Sequence, residues 1–235
     1  MSFFLFCDLL KTTYNETKKT KGKAKKMDEE TLSFDLVIVG AGPAGLCAAI
    51  RARQLAEKEG KPLTVCVLEK GSEVGAHILS GAVIETRALD ELLPNWKELG
   101  APLHTPATSD DFYFLTQKKA FRLPTPPNMK NHGNYIVSLA NVTRWLATQA
   151  EEKGVDIFPG FAAGTALIEK GPDGPHVVGI ETVPSGLNKD GTPSDRYTPG
   201  VQIKAKHVLF CEGCRGSLTQ KLFDTFDLRQ EADPQ

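Results

Sequence analysis

Phe34-Asp-Leu-Val-Ile-Val-Gly-Ala-Gly-Pro-Ala-Gly-Leu-Cys-Ala-Ala-Ile50, answered by Leu63-Thr-Val-Cys-Val-Leu-Glu-Lys70, decides the fold. The apolar, β-branched run ending at Gly40 reads as a buried parallel strand. Gly42 then lets the backbone approach a pyrophosphate closely, and Gly45 lets the following helix pack on the sheet. That helix opens near Pro43 and Ala44; a proline in the first turn sacrifices no hydrogen bond, and the free N–H groups and positive dipole end face the diphosphate. Phosphate is therefore held mainly by backbone, with Gly40, Gly42, Pro43, Ala44 and Gly45 as the candidate residues. Glu69, followed by Lys70, closes the second strand 24 positions after Gly45. A carboxylate there accepts from both ribose hydroxyls and repels a 2′-phosphate, which favours FAD or NAD over NADP.

Composition bounds the rest. With 235 residues, 40% hydrophobic and 24% charged, the chain is long enough to bury a real core. A net charge of −1 carries no overall electrostatic footprint for nucleic acid, so no nucleic-acid partner is expected. Five cysteines, odd in number and irregularly spaced, read as thiols in a reducing compartment. Residues 1–33 read as a disordered N-terminal extension. Its apolar start, Phe3 to Leu10, falls far short of the ~20 residues that span a bilayer and lacks a signal-peptide pattern. Lys18 to Lys26 then places six lysines in nine positions.

Beyond the second strand, Gly75-Ala-His-Ile-Leu-Ser-Gly81 is a small-residue stretch that can run alongside an extended cofactor. Thr86–Leu93 and Asn95–Leu99 read as short helical pieces ended by Pro94 and by Gly100 with Pro102. Residues 111–116 and 119–123 suggest a hairpin, 134–139 an extended segment, and 141–153 a helix stopped by Gly154. Strand character follows at 155–158, 161–169, 176–183, 200–204 and 206–211, giving a small antiparallel meander before a final strand. A helix is expected at about 217–226. Glu212 and Gly213 would then sit, like the glycine loop, at the carboxyl end of a parallel strand. The expected fold is α/β: a Rossmann-like FAD-binding domain, discontinuous over 34–84 and 139–235, with an antiparallel β-meander. Residues 85–138 form an inserted β-containing segment.

Five further segments occur in one order: Gly75–Glu85, Leu93–Lys97 with Gly100–Leu103, Asn131–Ile136, Lys189–Pro193 and Glu212–Leu218. Together they resemble the electron transfer flavoprotein-ubiquinone oxidoreductase family, from about Phe34 onward. The resemblance implies FAD as the dinucleotide, a [4Fe–4S] cluster in the full-length family, and electron transfer flavoprotein and ubiquinone as partners. It also implies peripheral contact with the matrix side of the mitochondrial inner membrane, and assigns the insertion to the quinone side. Carried over, Gly40, Gly42 and Gly45 hold the pyrophosphate and Glu69 the adenosine ribose. His77, Leu79, Ser80 and Gly81 line the flavin side, and Glu212 and Gly213 match an acidic-Gly motif that related flavoproteins use near the ribityl chain and pyrophosphate.

Two departures stand out. Cys211 stands where the family more often has Ala, creating Cys211-Glu-Gly-Cys214; with no second C-x-x-C, reduced thiols are expected rather than a metal or disulfide site. The four closely spaced cysteines of a [4Fe–4S] site are also missing, so the chain reads as an N-terminal fragment expected to retain FAD weakly or not at all, to hold no iron and to lack quinone reductase activity. Because the flavin ring carries the chemistry, no acid–base or nucleophilic catalyst and no metal ligand is named. Two other readings stand beside this one: an NAD(P)H-dependent flavoprotein reductase or hydroxylase, and a non-catalytic FAD-binding remnant.

Overall fold

The computed structural model describes residues 32–172, 174–188 and 190–232. The apolar start and the Lys-rich run of the N-terminal extension lie outside them, whereas its last two residues, Leu32 and Ser33, already belong to the first strand.

The strand β1 (Leu32–Val39) is buried on both faces from Leu36 onward, which is why it reads as an unbroken apolar run rather than an alternating one. Leu36 and Ile38 face one core, Val37 and Val39 the other. Parallel neighbours flank it: β2 (Val65–Glu69) on one side and β13 (Gln202–Phe210) on the other. A fourth parallel strand, β8 (Asp156–Pro159), pairs with β2. Beyond β13 the sheet turns antiparallel through β10 (Gly174–Thr182) and β9 (Ala163–Gly171), giving the order β8-β2-β1-β13-β10-β9.

This corrects the sequence reading in two ways. The segment near 155–158 belongs to the parallel sheet, not to the meander. The segments at 200–204 and 206–211 form one continuous strand, in which residues 202–204 pair with β10 and residues 203–210 with β1. The meander is therefore an extension of the main sheet. A small hairpin, β11 (Ser185–Leu187) with β12 (Pro193–Thr198), was not foreseen.

The helices α1 (Pro43–Glu59) and α3 (Leu139–Glu152) cover one face of the sheet. Leu46, Ala49 and Ile50 of α1 and Val142, Leu146 and Ala150 of α3 meet Val65, Val67 and Ile157 there. The helix α1 ends at Gly60, whose left-handed φ of 63° lets its N–H return to the carbonyls of Ala56 and Glu57. Arg53 then ties the ends of the two helices together, its Nε donating to the Lys153 carbonyl at 2.7 Å and its Nη1 to the Leu63 carbonyl.

The stretch between β2 and α3 holds a three-stranded sheet, in which β7 (Tyr135–Ser138) lies between β3 (Gly81–Ile84) and β4 (Thr105–Pro106). It also holds α2 (Arg87–Leu92) and a separate hairpin, β5 (Phe112–Leu115) with β6 (Ala120–Leu123). Asn95–Leu99, expected as a helical piece, is a succession of turns, because Pro94 cannot continue α2 and Gly100 follows at φ 71°. Leu46 has no exposed surface, so Leu46→Ala is expected to cost about 2–5 kcal/mol in urea unfolding. Leu115, 71% exposed on the hairpin, should tolerate Ala within about 0.5 kcal/mol.

Candidate functional site

The ends of β1, β2 and β13 lie side by side, Val39 opposite both Leu68 and Phe210. The loops that leave them, Gly40–Gly42, Lys70–Ser80 and Cys211–Gly216, gather at the carboxyl end of the parallel strands. This is the crevice in which open α/β sheets bind ligands.

Backbone contact dictates the glycines. Gly40 adopts φ 106°, and a Cβ on it would stand 2.4 Å from the Cys211 carbonyl oxygen. A Cβ on Gly45 would fall 2.0 Å from the Gly40 carbonyl oxygen and 3.2 Å from Ile38 Cγ2, so the first turn of α1 lies directly on the loop. Gly42 is different: a Cβ there meets nothing within 4 Å. Gly42 is the N-cap of α1 and supplies no side-chain acceptor, while half-buried Pro43 and exposed Ala44 begin the helix. The first-turn N–H groups of Ala44 and Gly45 thus have no side-chain acceptor and stand beside the open space at Gly42, a donor set that suits a diphosphate. Two other helices contrast with it, since Ser138 Oγ accepts from Asn141 N in α3 and Glu212 fills the same need in α4 (Ser217–Thr225).

Glu69 ends β2 with its side chain only 14% exposed. Oε2 accepts from Ala41 N at 3.1 Å and Oε1 from Gly71 N at 2.7 Å, so the carboxylate holds the glycine loop and its own turn at once. A carboxylate has about four lone-pair sites, which leaves capacity for ribose hydroxyls. His77 Nδ1 stands 3.9 Å from Oε1. Lys70 is exposed beside this carboxylate, Leu79 is 96% exposed, and Ser80 faces solvent. Gly81 opens β3, where a Cβ would press on the Val137 carbonyl at 2.8 Å. The fold thus brings His77 to Glu69 and leaves Leu79 and Ser80 on the open side of the loop.

On the third loop, Gly213 takes φ 80° with open space before it. Glu212 turns towards α4 and accepts from Leu218 N at 3.2 Å and from Thr219 N and Oγ1, both at 2.8 Å. The amides of Ala41 and Gly71 and the Cys211 carbonyl are structural members of the site that side-chain chemistry does not announce. Ala41 could have been found only as the middle residue of the Gly-x-Gly turn.

The four described cysteines are free. Cys66 is buried in β2, where burial, aided by the Asp156 charge, pushes its thiol far up; burial also raises the thiols of Cys47 on α1 and Cys211 at the end of β13. Distributed over three elements, they do not fit an iron–sulfur cube, and no group of three or more metal-ligating side chains occurs among the described residues.

The strand ends, the uncapped glycine-rich helix start and the half-buried acid at the second strand define a Rossmann-type dinucleotide-binding domain. A family model described as NAD(P)-binding Rossmann-like domain matches residues 38–107. The myxobacterial chondrochloren halogenase CndH, described as a variant of FAD-dependent halogenases, shares the fold with a TM-score of 0.55 at 19% identity over 80% of this chain and 39% of its own. In sequence the chain is 51% identical over 226 residues to the mitochondrial electron transfer flavoprotein-ubiquinone oxidoreductase of Dictyostelium discoideum, covering 96% of this chain and 37% of that protein. The Pseudomonas aeruginosa electron transfer flavoprotein-ubiquinone oxidoreductase is 54% identical over 214 residues, covering 89% of this chain and 38% of its own. The chain belongs to the electron transfer flavoprotein-ubiquinone oxidoreductase family and spans a little over a third of the length of these relatives.

Thiol chemistry should follow burial. In the folded chain Cys214, which is exposed, is expected to react with a thiol reagent at once and Cys66 only on unfolding. Cys211→Ala should leave the domain folded, as read by an unchanged melting profile and by zinc analysis showing no stoichiometric metal in either protein.

Proposed function

We propose that this chain is the FAD-binding part of an electron transfer flavoprotein-ubiquinone oxidoreductase. The observation that carries this reading is the open, donor-rich start of α1 at Gly42, set between Glu69 and Gly213 at the ends of the flanking strands. In this assignment the N–H groups of Gly42, Ala44 and Gly45 hold the diphosphate; Pro43, which has no N–H, fixes the first turn, and Gly40 and Gly45 give the close packing that aims the donors. Glu69, beside Lys70, takes the adenosine ribose. His77, Leu79, Ser80 and Gly81 line the flavin side, and Glu212 and Gly213 bound the ribityl side.

Bound FAD supplies the redox chemistry, since its ring accepts electrons singly or in pairs. The chain's own residues bind and orient it. Their backbone donors neutralise the diphosphate in a fixed frame, and Glu69 fixes the adenosine end. The family names support electron transfer flavoprotein as donor, ubiquinone as acceptor and a mitochondrial setting; to these the proposal adds the matrix side of the inner membrane as the place where electrons pass.

The β5–β6 hairpin supports contact with a membrane surface. Phe112 faces Leu123 and Phe114 faces Phe121 across the strand pair, and all four side chains are between 36% and 59% exposed. One face of the hairpin is thus apolar and open, an arrangement that marks protein or membrane contact. No described helix is long and apolar enough to cross a bilayer.

Titrating the chain with FAD, followed by flavin fluorescence, tests the cofactor assignment. Gly42→Val puts a branched side chain into the diphosphate space and should abolish uptake. Glu69→Ala removes charge-assisted bonds worth roughly 1.5–3 kcal/mol each and should weaken uptake at least tenfold. Full uptake by both variants would overturn the assignment.

The hairpin is tested by vesicle co-sedimentation. Phe114→Asp with Phe121→Asp should release the chain from phospholipid vesicles while leaving FAD uptake unchanged; equal sedimentation of both proteins would remove the hairpin from the membrane proposal.

A further inference from the structure

Glu212 occupies the position expected to meet the ribityl chain, yet its carboxylate is already committed. Oε1 accepts from Leu218 N at 3.2 Å, while Oε2 takes both Thr219 N and Thr219 Oγ1 at 2.8 Å. These are the second and third residues of α4, the amides a side-chain cap ordinarily serves. The N-cap itself is Gly216, which has no side chain to offer. A Cβ on Gly216 would lie 2.6 Å from Glu212 Cβ and 2.7 Å from Oε2, so the absence of a side chain there makes room for the carboxylate.

The same residue is tied to the glycine loop through its backbone neighbour. Cys211 N donates to the Val39 carbonyl at 2.8 Å, and the Cys211 carbonyl is what a Gly40 Cβ would strike. One side of Glu212 is thus fixed on α4 and the other on the loop behind which the diphosphate donors lie. We propose that Glu212 is a positioning residue: its carboxylate is spent on the start of α4, and it serves the nucleotide by holding the Cys211–Gly213 turn against Gly40 rather than by touching the ribityl chain. This rests on the FAD reading only for the nucleotide served; the commitment of the carboxylate to α4 stands independently of it.

The carboxylate also settles which helix start is open to an anion. Glu212 supplies negative charge and acceptors at α4, so a diphosphate is disfavoured there and left to the uncapped start of α1.

Amide hydrogen exchange on the unliganded 235-residue chain tests the commitment directly. Glu212→Gln removes the charge and half the acceptor capacity, and should speed exchange at Leu218 and Thr219 by about tenfold or more, with a smaller increase at Cys211. Thr219→Val removes one donor to the same carboxylate and should produce the same pattern more weakly. FAD titration then reads the consequence: each variant should weaken uptake several-fold, and the double variant should bind no worse than Glu212→Gln alone, because both lesions break one linkage. Unchanged exchange at Leu218 and Thr219 in Glu212→Gln overturns the proposal. So does a loss of FAD confined to Glu212→Gln with Thr219→Val at full affinity, since that is the signature of direct contact. If the unsubstituted chain takes up no FAD, the FAD reading fails, while the exchange result still decides whether the carboxylate belongs to α4.

Discussion

The approach of three backbones at the ends of β1 and β13 constrains everything else in this molecule. Gly45 lies on the carbonyl of Gly40, and Gly40 lies against the carbonyl of Cys211, with no room for a Cβ at either glycine. Because the contact is between main chains, it fixes where α1 begins relative to the sheet with the precision of covalent geometry rather than of side-chain packing. A methyl group at Gly45 would lift the helix from the loop and redirect all of its first-turn donors together. The buried residues below, Ile38, Leu46 and Val67, supply cohesion, but the glycines decide the aim.

Charge is distributed with similar economy. Two carboxylates sit at the ends of strands on either side of β1, and each is engaged by backbone N–H groups. Glu69 takes an amide of the glycine loop and one of its own turn; Glu212 takes two from α4. Half-buried carboxylates held in this way need no cationic partner. They leave the start of α1, the longest helix among the described residues, without a side-chain acceptor and flanked by two anionic groups whose reach is already limited by their own bonds.

Much of this was legible in the sequence, for identifiable reasons. Parallel strands buried on two faces leave continuous apolar runs, so β1 and β2 were evident, and the glycine spacing located the start of α1. The small-residue loop and the Phe112–Leu123 hairpin also followed from local pattern. What local pattern does not carry is pairing. The short segment at Asp156–Pro159 has strand character whether it joins a meander or the edge of the parallel sheet, and only its partner β2 decides between them. Residues 200–211 looked interrupted because β13 is exposed at Lys204, Lys206 and His207, which breaks the apolar run without breaking the strand. Glu212 was placed in the right loop, but the direction of its side chain depends on Gly216 and Thr219, and no sequence spacing encodes that choice.

The long strand β13 pairs over residues 203–210 with β1, and Val39 meets Phe210 171 positions later in the chain. The opening strand therefore stays half-unpaired on the ribosome until nearly all of this region has emerged, with β2 as its only early neighbour. Few contacts in a domain of this size close so long a loop, and such closures slow folding because their entropic cost precedes their reward. A nascent chain stopped before about residue 202 would expose the open edge and apolar faces of β1, a surface that invites chaperone binding or aggregation. The late arrival of one strand thus sets the point in synthesis at which the nucleotide crevice can first exist.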